Sequence, residues 1–287
     1  MQRAGRHIPK GRKKSRKYPF KKILPYGVIA VLVLCVGLYF TVDHLTQGAS
    51  LDCSQVEIPR AAIVDQLSIS QPNPAFVEES TSLLTEAGFV VDYYEGELVT
   101  VNFYKNLPTH CYSLILLRVH SATFNPEKQV LDFFTSEPYS ESKYVGDQLK
   151  DRVRRCAFAP YEEGDPVYFG ITAKFVRSSM KYEFNNTMVI MMGCDGLKYD
   201  DMAEAFVEEG AQVYLGWSGL VSAPHTDEAT LDLLQRFLIQ EETVEQAITE
   251  TMNELGADPK YESTLSYYPA NGGNCTIHDI LNDIPNE

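Results

Sequence analysis

Apolar positions recur along this chain in three rhythms. Ile23 to Val42 is an unbroken apolar span without a charge. Twenty residues at about 1.5 Å each cover roughly 30 Å, the hydrocarbon thickness of a bilayer. Beyond it come short runs of strand length: Ala61–Val64, Phe89–Val91, Leu114–Leu117, Val189–Met192 and Ala211–Gly216. Between them the spacing turns helical. Pro72-Asn73-Pro74 opens a helix through Ala87 that Gly88 ends, and Met202–Glu209 predicts a second, stopped by Gly210. Thr226 is read as the cap of a third helix, through about Ile239. Thr243 and Gln246 form a capping box for a fourth, with Val244, Ala247, Ile248, Thr251, Met252 and Leu255 on one face and Gly256 as its stop.

Alternating helices with near-continuous apolar strands is the pattern of a mostly parallel sheet covered by helices on both faces. The expected fold is therefore α/β, preceded by one transmembrane helix. Residues 129–184 break the alternation. Strand-like pieces at Val130–Phe134 and Val167–Val176 flank a polar helix, which predicts a β-rich insertion beside the sheet. The expected organisation is a basic tail over 1–22, an anchor over 23–42, a stalk over 43–60, an α/β domain over 61–268 and a loop-rich tail over 269–287.

Charge adds a direction. The first 22 residues hold ten Lys or Arg and no acid, so the anchor predicts a cytoplasmic N-terminus and an extracytoplasmic domain. A cleaved signal peptide is the rival, with a usually shorter apolar core. Past residue 50 lie 15 basic and 38 acidic side chains, a net of −23. That excludes nucleic acid as a partner, because such binding neutralises phosphates with Lys and Arg.

In open α/β sheets, ligands bind at the carboxyl ends of the strands. His120 follows one of the most apolar strands and Cys194 another. A neutral imidazole beside a thiol can take its proton, leaving a thiolate nucleophile. Gly193 and Gly196 allow a tight turn around the cysteine, whose amides can face an oxyanion. A lone strand-end cysteine is more often a small core residue, and a lone histidine more often packed. Their conjunction at strand ends is what raises the pair.

These residues resemble the caspase-like fold of clan CD cysteine peptidases, closest to the CHAT and gingipain-like members. The resemblance covers about Ala61 to Tyr268. It includes the strand before His120, the strand before Cys194, the stretch MAEAFVEEGAQVYLGWSGLVS after the cysteine, and the helix TVEQAITETMNELG. It implies that His120 is the general base and Cys194 the nucleophile. The amides of Ser121 and Cys194 would form the oxyanion hole, and Trp217 would line the substrate cleft. Asp65, at the end of the first strand, would take a basic substrate side chain; capping the next helix and pairing with Arg118 are the alternatives for that carboxylate. Ser121 departs from the glycine usual after the histidine. The implied function is a membrane-anchored, extracytoplasmic cysteine endopeptidase acting on protein or peptide substrates, with no cofactor. An inactive binding or scaffold module of the same fold is the alternative, and a flavodoxin-like ligand-binding domain a third.

No CxxC pair is present, and His225 with Asp227 and His278 with Asp279 lack zinc spacing, so no metal is expected. Cys53, Cys111, Cys156 and Cys275 allow three disulfide pairings, of which Cys111–Cys156 and Cys53–Cys275 are favoured.

Overall fold

The computed structural model describes Val31, Cys53 and residues 56–123, 129–158 and 162–281. Its main sheet has six strands: β1 (Arg60–Asp65), β2 (Val90–Glu95), β3 (Leu114–Arg118), β8 (Thr187–Met191), β9 (Ala211–Trp217) and β10 (Leu265–Tyr268). They lie in the order β10-β9-β8-β3-β1-β2, all parallel except β10, which runs antiparallel to β9.

The central strands read as apolar throughout because both of their faces are covered. Alternate residues point to opposite sides of a sheet. One side buries Ala62, Val64, Ile115, Leu117, Val189 and Met191 against α2 (Val101–Asn106), α4 (Ala173–Ser179) and α5 (Asp201–Glu208). The other buries Ala61, Ile63, Leu114, Leu116, Met188 and Ile190 against α1 (Pro74–Glu86), α6 (Ala223–Leu234) and α7 (Val244–Leu255). Each buried Leu, Ile, Val or Met contributes about 1.5–3 kcal/mol by leaving water, so these alternating rows hold the sheet between its helix layers.

A second, antiparallel sheet has the order β4-β5-β7-β6, from β4 (Ser121–Thr123), β5 (Leu131–Pro138), β6 (Val153–Cys156) and β7 (Tyr168–Thr172), with α3 (Val145–Leu149) before β6. Phe133 and Ile171 carry its inner face into the same core as α5. The predicted strand over Val167–Val176 stops at Thr172. There the side chain accepts from the Phe175 amide and starts α4, an N-cap that competes with further strand pairing.

Local chemistry also sets the other helix ends. Asn73 accepts from the Phe76 amide at the start of α1, and Gly88 follows its end at φ +91°. The Thr243–Gln246 capping box is formed in both directions. Thr226 is not a cap: α6 begins at Ala223, and Thr226 lies buried inside it, where its hydroxyl accepts from Trp217 Nε1 at 2.9 Å. After Tyr268 the chain forms a 3₁₀ turn at Ala270–Asn274 and α8 (Ile277–Leu281), which buries Ile277 and Ile280.

The expected single-pass anchor is corrected. Among the described residues no helix is long and apolar enough to cross a membrane. The span 23–42, apart from Val31, lies outside the described residues, as does the basic tail. The membrane partner and the cytoplasmic-to-extracytoplasmic placement read from them are withdrawn with it. The disulfide pattern is corrected too. Cys53 pairs with Cys111, while Cys156 and Cys275 are buried free thiols.

Candidate functional site

The β3–β8 register runs from Leu114 opposite Met188 to Leu117 opposite Met191. His120 and Cys194 each lie three residues past that last pair, so one pairing register carries both to the same end of the sheet. Both line a cavity of about 320 Å³ there, together with Leu67, Met192, Val221 and Tyr261.

The two side chains share the cavity without pairing. His120 Nε2 lies 3.0 Å from Ser70 Oγ, and Cys194 Sγ donates to the Val221 carbonyl at 3.6 Å. The His–Cys dyad expected of these two residues is therefore corrected: they make no hydrogen bond to each other, and each is held by a group from a different loop. Burial, reinforced by the Arg118 charge, lowers the His120 pKa to about 4, so the imidazole is neutral near pH 7. Burial pushes the Cys194 thiol up, and the carboxylates of Asp195 and Asp258 push the same way. The proton thus stays on sulfur at rest. Phe158 packs edge-on to the imidazole at 4.6 Å, and Gln66 Oε1 accepts from the His120 amide at 3.0 Å.

The turn that presents Cys194 is gripped from β4. Ser121 Oγ donates to the Cys194 carbonyl, and Thr123 Oγ1 donates to Asp195 Oδ2 at 3.4 Å. Ser121 and Thr123 are two apart on one strand, so their side chains share a face. The Asp195 amide donates to the Gly219 carbonyl at 2.7 Å, and Asp195 itself sits at φ +58°. Gly193 is required by close approach: a Cβ there would lie 2.2 Å from the Val119 carbonyl. The hydroxyl of Ser121 thus holds the cysteine turn, a role distinct from the amide donor expected of it.

Asp65 and Trp217 lie elsewhere. Asp65 is buried and its Oδ1 accepts from Arg118 Nη1 at 2.7 Å, which is the pairing alternative read from the sequence. Arg118 also holds Asp227, Nε to Oδ1 at 2.7 Å. Trp217 is 1% exposed and packs its ring 5.3 Å from His225. Neither Asp65 nor Trp217 lines the cavity of Cys194.

Sequence reasoning missed Ser70, Val221 and the loop at 258–261. Ser70 ends a short 3₁₀ turn, Gln66–Ile69, whose residues carry no periodic signal. In the loop, burial alone would raise the Asp258 carboxyl. The amide and hydroxyl of Ser222 and the amides of Lys260 and Tyr261 instead bring it to about 2. That carboxylate folds the loop onto the start of α6 and places Lys260 and Tyr261 at the cavity. Among the described residues no group of three His, Cys, Asp or Glu side chains is arranged to hold a metal.

No protein-family model matches the chain, and no curated protein matches it.

Proposed function

We propose that the chain is a caspase-like, cysteine-type peptide-bond hydrolase that works by acyl transfer at Cys194, starting from a resting state in which thiol and imidazole are apart. The observation that carries this reading is the common register of His120 and Cys194 on neighbouring strands, opening into one cavity. The neutral imidazole is in the form that accepts a proton.

In the proposed reaction His120 leaves Ser70 and takes the proton of Cys194. The sulfur attacks the acyl carbon, the C–N bond breaks, and the amine departs with the proton from the imidazolium. Water then hydrolyses the thioester, releasing the acid and restoring the thiol. The Cys194 amide, which makes no hydrogen bond to the main chain of another described residue, would donate to the developing oxyanion.

The test is hydrolysis of a fluorogenic peptide library by the full chain, beside Cys194→Ala and His120→Ala. Cleavage lost in both variants supports acyl transfer. Cleavage that survives Cys194→Ala overturns it. Peptide binding without cleavage would make the cavity a recognition site instead.

A further inference from the structure

We infer that Ser70 is a positioning residue: its hydroxyl holds the His120 imidazole toward the turn after β1, and loss of that hold lets the ring rotate toward Cys194. This rests on the reading that His120 serves Cys194, and it assigns the group that keeps the two apart at rest.

The order of the strands sets His120 between two partners. β3 lies between β8 and β1 in the sheet. Cys194 follows β8, the neighbour on one side, and Ser70 stands in the turn that leaves β1, the neighbour on the other. The imidazole bonds the partner from β1, with Nε2 and Ser70 Oγ 3.0 Å apart. Whichever of these two atoms donates, Nε2 is then not available to the thiol. Among the described residues this hydroxyl is the one hydrogen-bond partner of the ring, which otherwise meets the rings of Phe158 and Phe134 at 4.6 and 6.2 Å.

The turn that carries Ser70 is fixed independently of the ring. The amides of Ser70 and Gln71 donate to the Leu67 carbonyl at 3.0 and 2.7 Å. Arg118 Nη2 donates to the Gln71 carbonyl at 2.9 Å, and Ser68 Oγ accepts from the Gly96 amide at 2.8 Å. The backbone of His120 is fixed as well. Its amide donates to Gln66 Oε1 at 3.0 Å, and its carbonyl accepts from the Phe134 amide at 2.9 Å. The imidazole can therefore change sides by rotating its side chain alone, and the Ser70 hydroxyl is the polar contact that opposes it. Leu67 and Gln71 of the same turn line the cavity of Cys194, so a peptide seated there touches the segment that holds the ring.

The experiment measures the rate at which iodoacetamide modifies Cys194 in the full chain at neutral pH, read by mass spectrometry. It needs no turnover. Ser70→Ala is expected to raise that rate about threefold to tenfold, the range that one net hydrogen bond sustains. The cause is an imidazole beside the sulfur, which takes up the thiol proton. Ser70→Thr keeps a hydroxyl and is expected to return the rate toward the wild-type value. With His120→Gln added, Ser70→Ala should no longer raise the rate. Cys156 and Cys275, both buried, are the internal control and should label as slowly as in wild type. An unchanged Cys194 rate in Ser70→Ala overturns the inference. So does a rise that survives His120→Gln, that Ser70→Thr reproduces in full, or that Cys156 and Cys275 share. A raised, His120-dependent rate in a protein that cleaves no peptide leaves this inference standing and removes only the proposed hydrolysis. Cleavage that needs His120 and Cys194, beside a Ser70→Ala variant with the wild-type labelling rate, removes this inference and leaves the hydrolysis.

Discussion

Arg118, at the end of β3, grips Asp227 on α6 with two parallel hydrogen bonds, Nε to Oδ1 at 2.7 Å and Nη2 to Oδ2 at 2.9 Å. Its remaining amino group holds Asp65 on β1, so one guanidinium ties two neighbouring strand ends to a helix. All three side chains are buried. Removing the cation leaves two carboxylates uncompensated, and loss of one member of a buried ion pair typically costs about 3–5 kcal/mol. Arg118→Met is expected to lower the urea midpoint by a corresponding amount. Adding Asp65→Asn and Asp227→Asn should recover part of the loss; no recovery would mean the cost lies in packing instead of charge.

Thiol reactivity should separate the cysteines. Burial pushes Cys156 and Cys275 up to about 12, while Cys194 borders the open cavity. In native protein, iodoacetamide is expected to modify Cys194 before Cys156 or Cys275. Peptide mapping after limited labelling checks the order, and faster labelling of either buried thiol would contradict the placement of Cys194.

Gly193→Ala tests the backbone approach beneath the thiol. The added Cβ would lie 2.2 Å from a main-chain oxygen, which no side-chain rotation relieves. Overpacking of this kind typically costs about 1–3 kcal/mol. The expected result is a lower thermal midpoint together with a changed Cys194 labelling rate. A variant with wild-type values of both would show that the Val119–Gly193 contact is loose.

Two buried carboxylates predict opposite slopes of stability with pH. Burial raises Asp132 from 3.8 to about 7 despite Arg154 beside it, so between those values the folded state binds the extra proton. Stability from this group therefore falls as pH rises from about 4 to about 7. Asp258 is lowered to about 2, so its contribution is present above 3.8 and is lost as pH falls toward about 2. Thermal midpoints across pH for Asp132→Asn and Asp258→Asn should flatten the first and second windows respectively. An unchanged curve in either variant rejects that assignment.

The Cys53–Cys111 disulfide joins residues 58 apart in sequence. Loss of a native disulfide typically costs about 2–5 kcal/mol. Cys53→Ser with Cys111→Ser is expected to lower stability in that range without altering Cys194 labelling. Non-reducing peptide mapping that finds Cys111 joined to Cys156 would refute the pairing.

The strands and most helix ends were legible in the sequence because their causes are local. Leu114–Leu117 reads as a buried strand since its two faces meet two apolar layers, and Gly88 and the Thr243–Gln246 box act within a single helical turn. The placement of His120 and Cys194 at strand ends followed from the same runs. Tertiary structure decided what those residues touch. Ser70 reaches His120 across 50 positions and Val221 reaches Cys194 across 27, and no periodicity encodes such meetings. Thr226 looked like a cap because Thr, followed by apolar helical spacing, resembles one; α6 begins three residues earlier, and Trp217 needs a buried acceptor there. Asp65 had two plausible ionic fates in sequence, and the adjacency of β1 and β3 chose Arg118. Cys53 found Cys111 because disulfide geometry depends on where the backbones meet, which spacing along the chain leaves open.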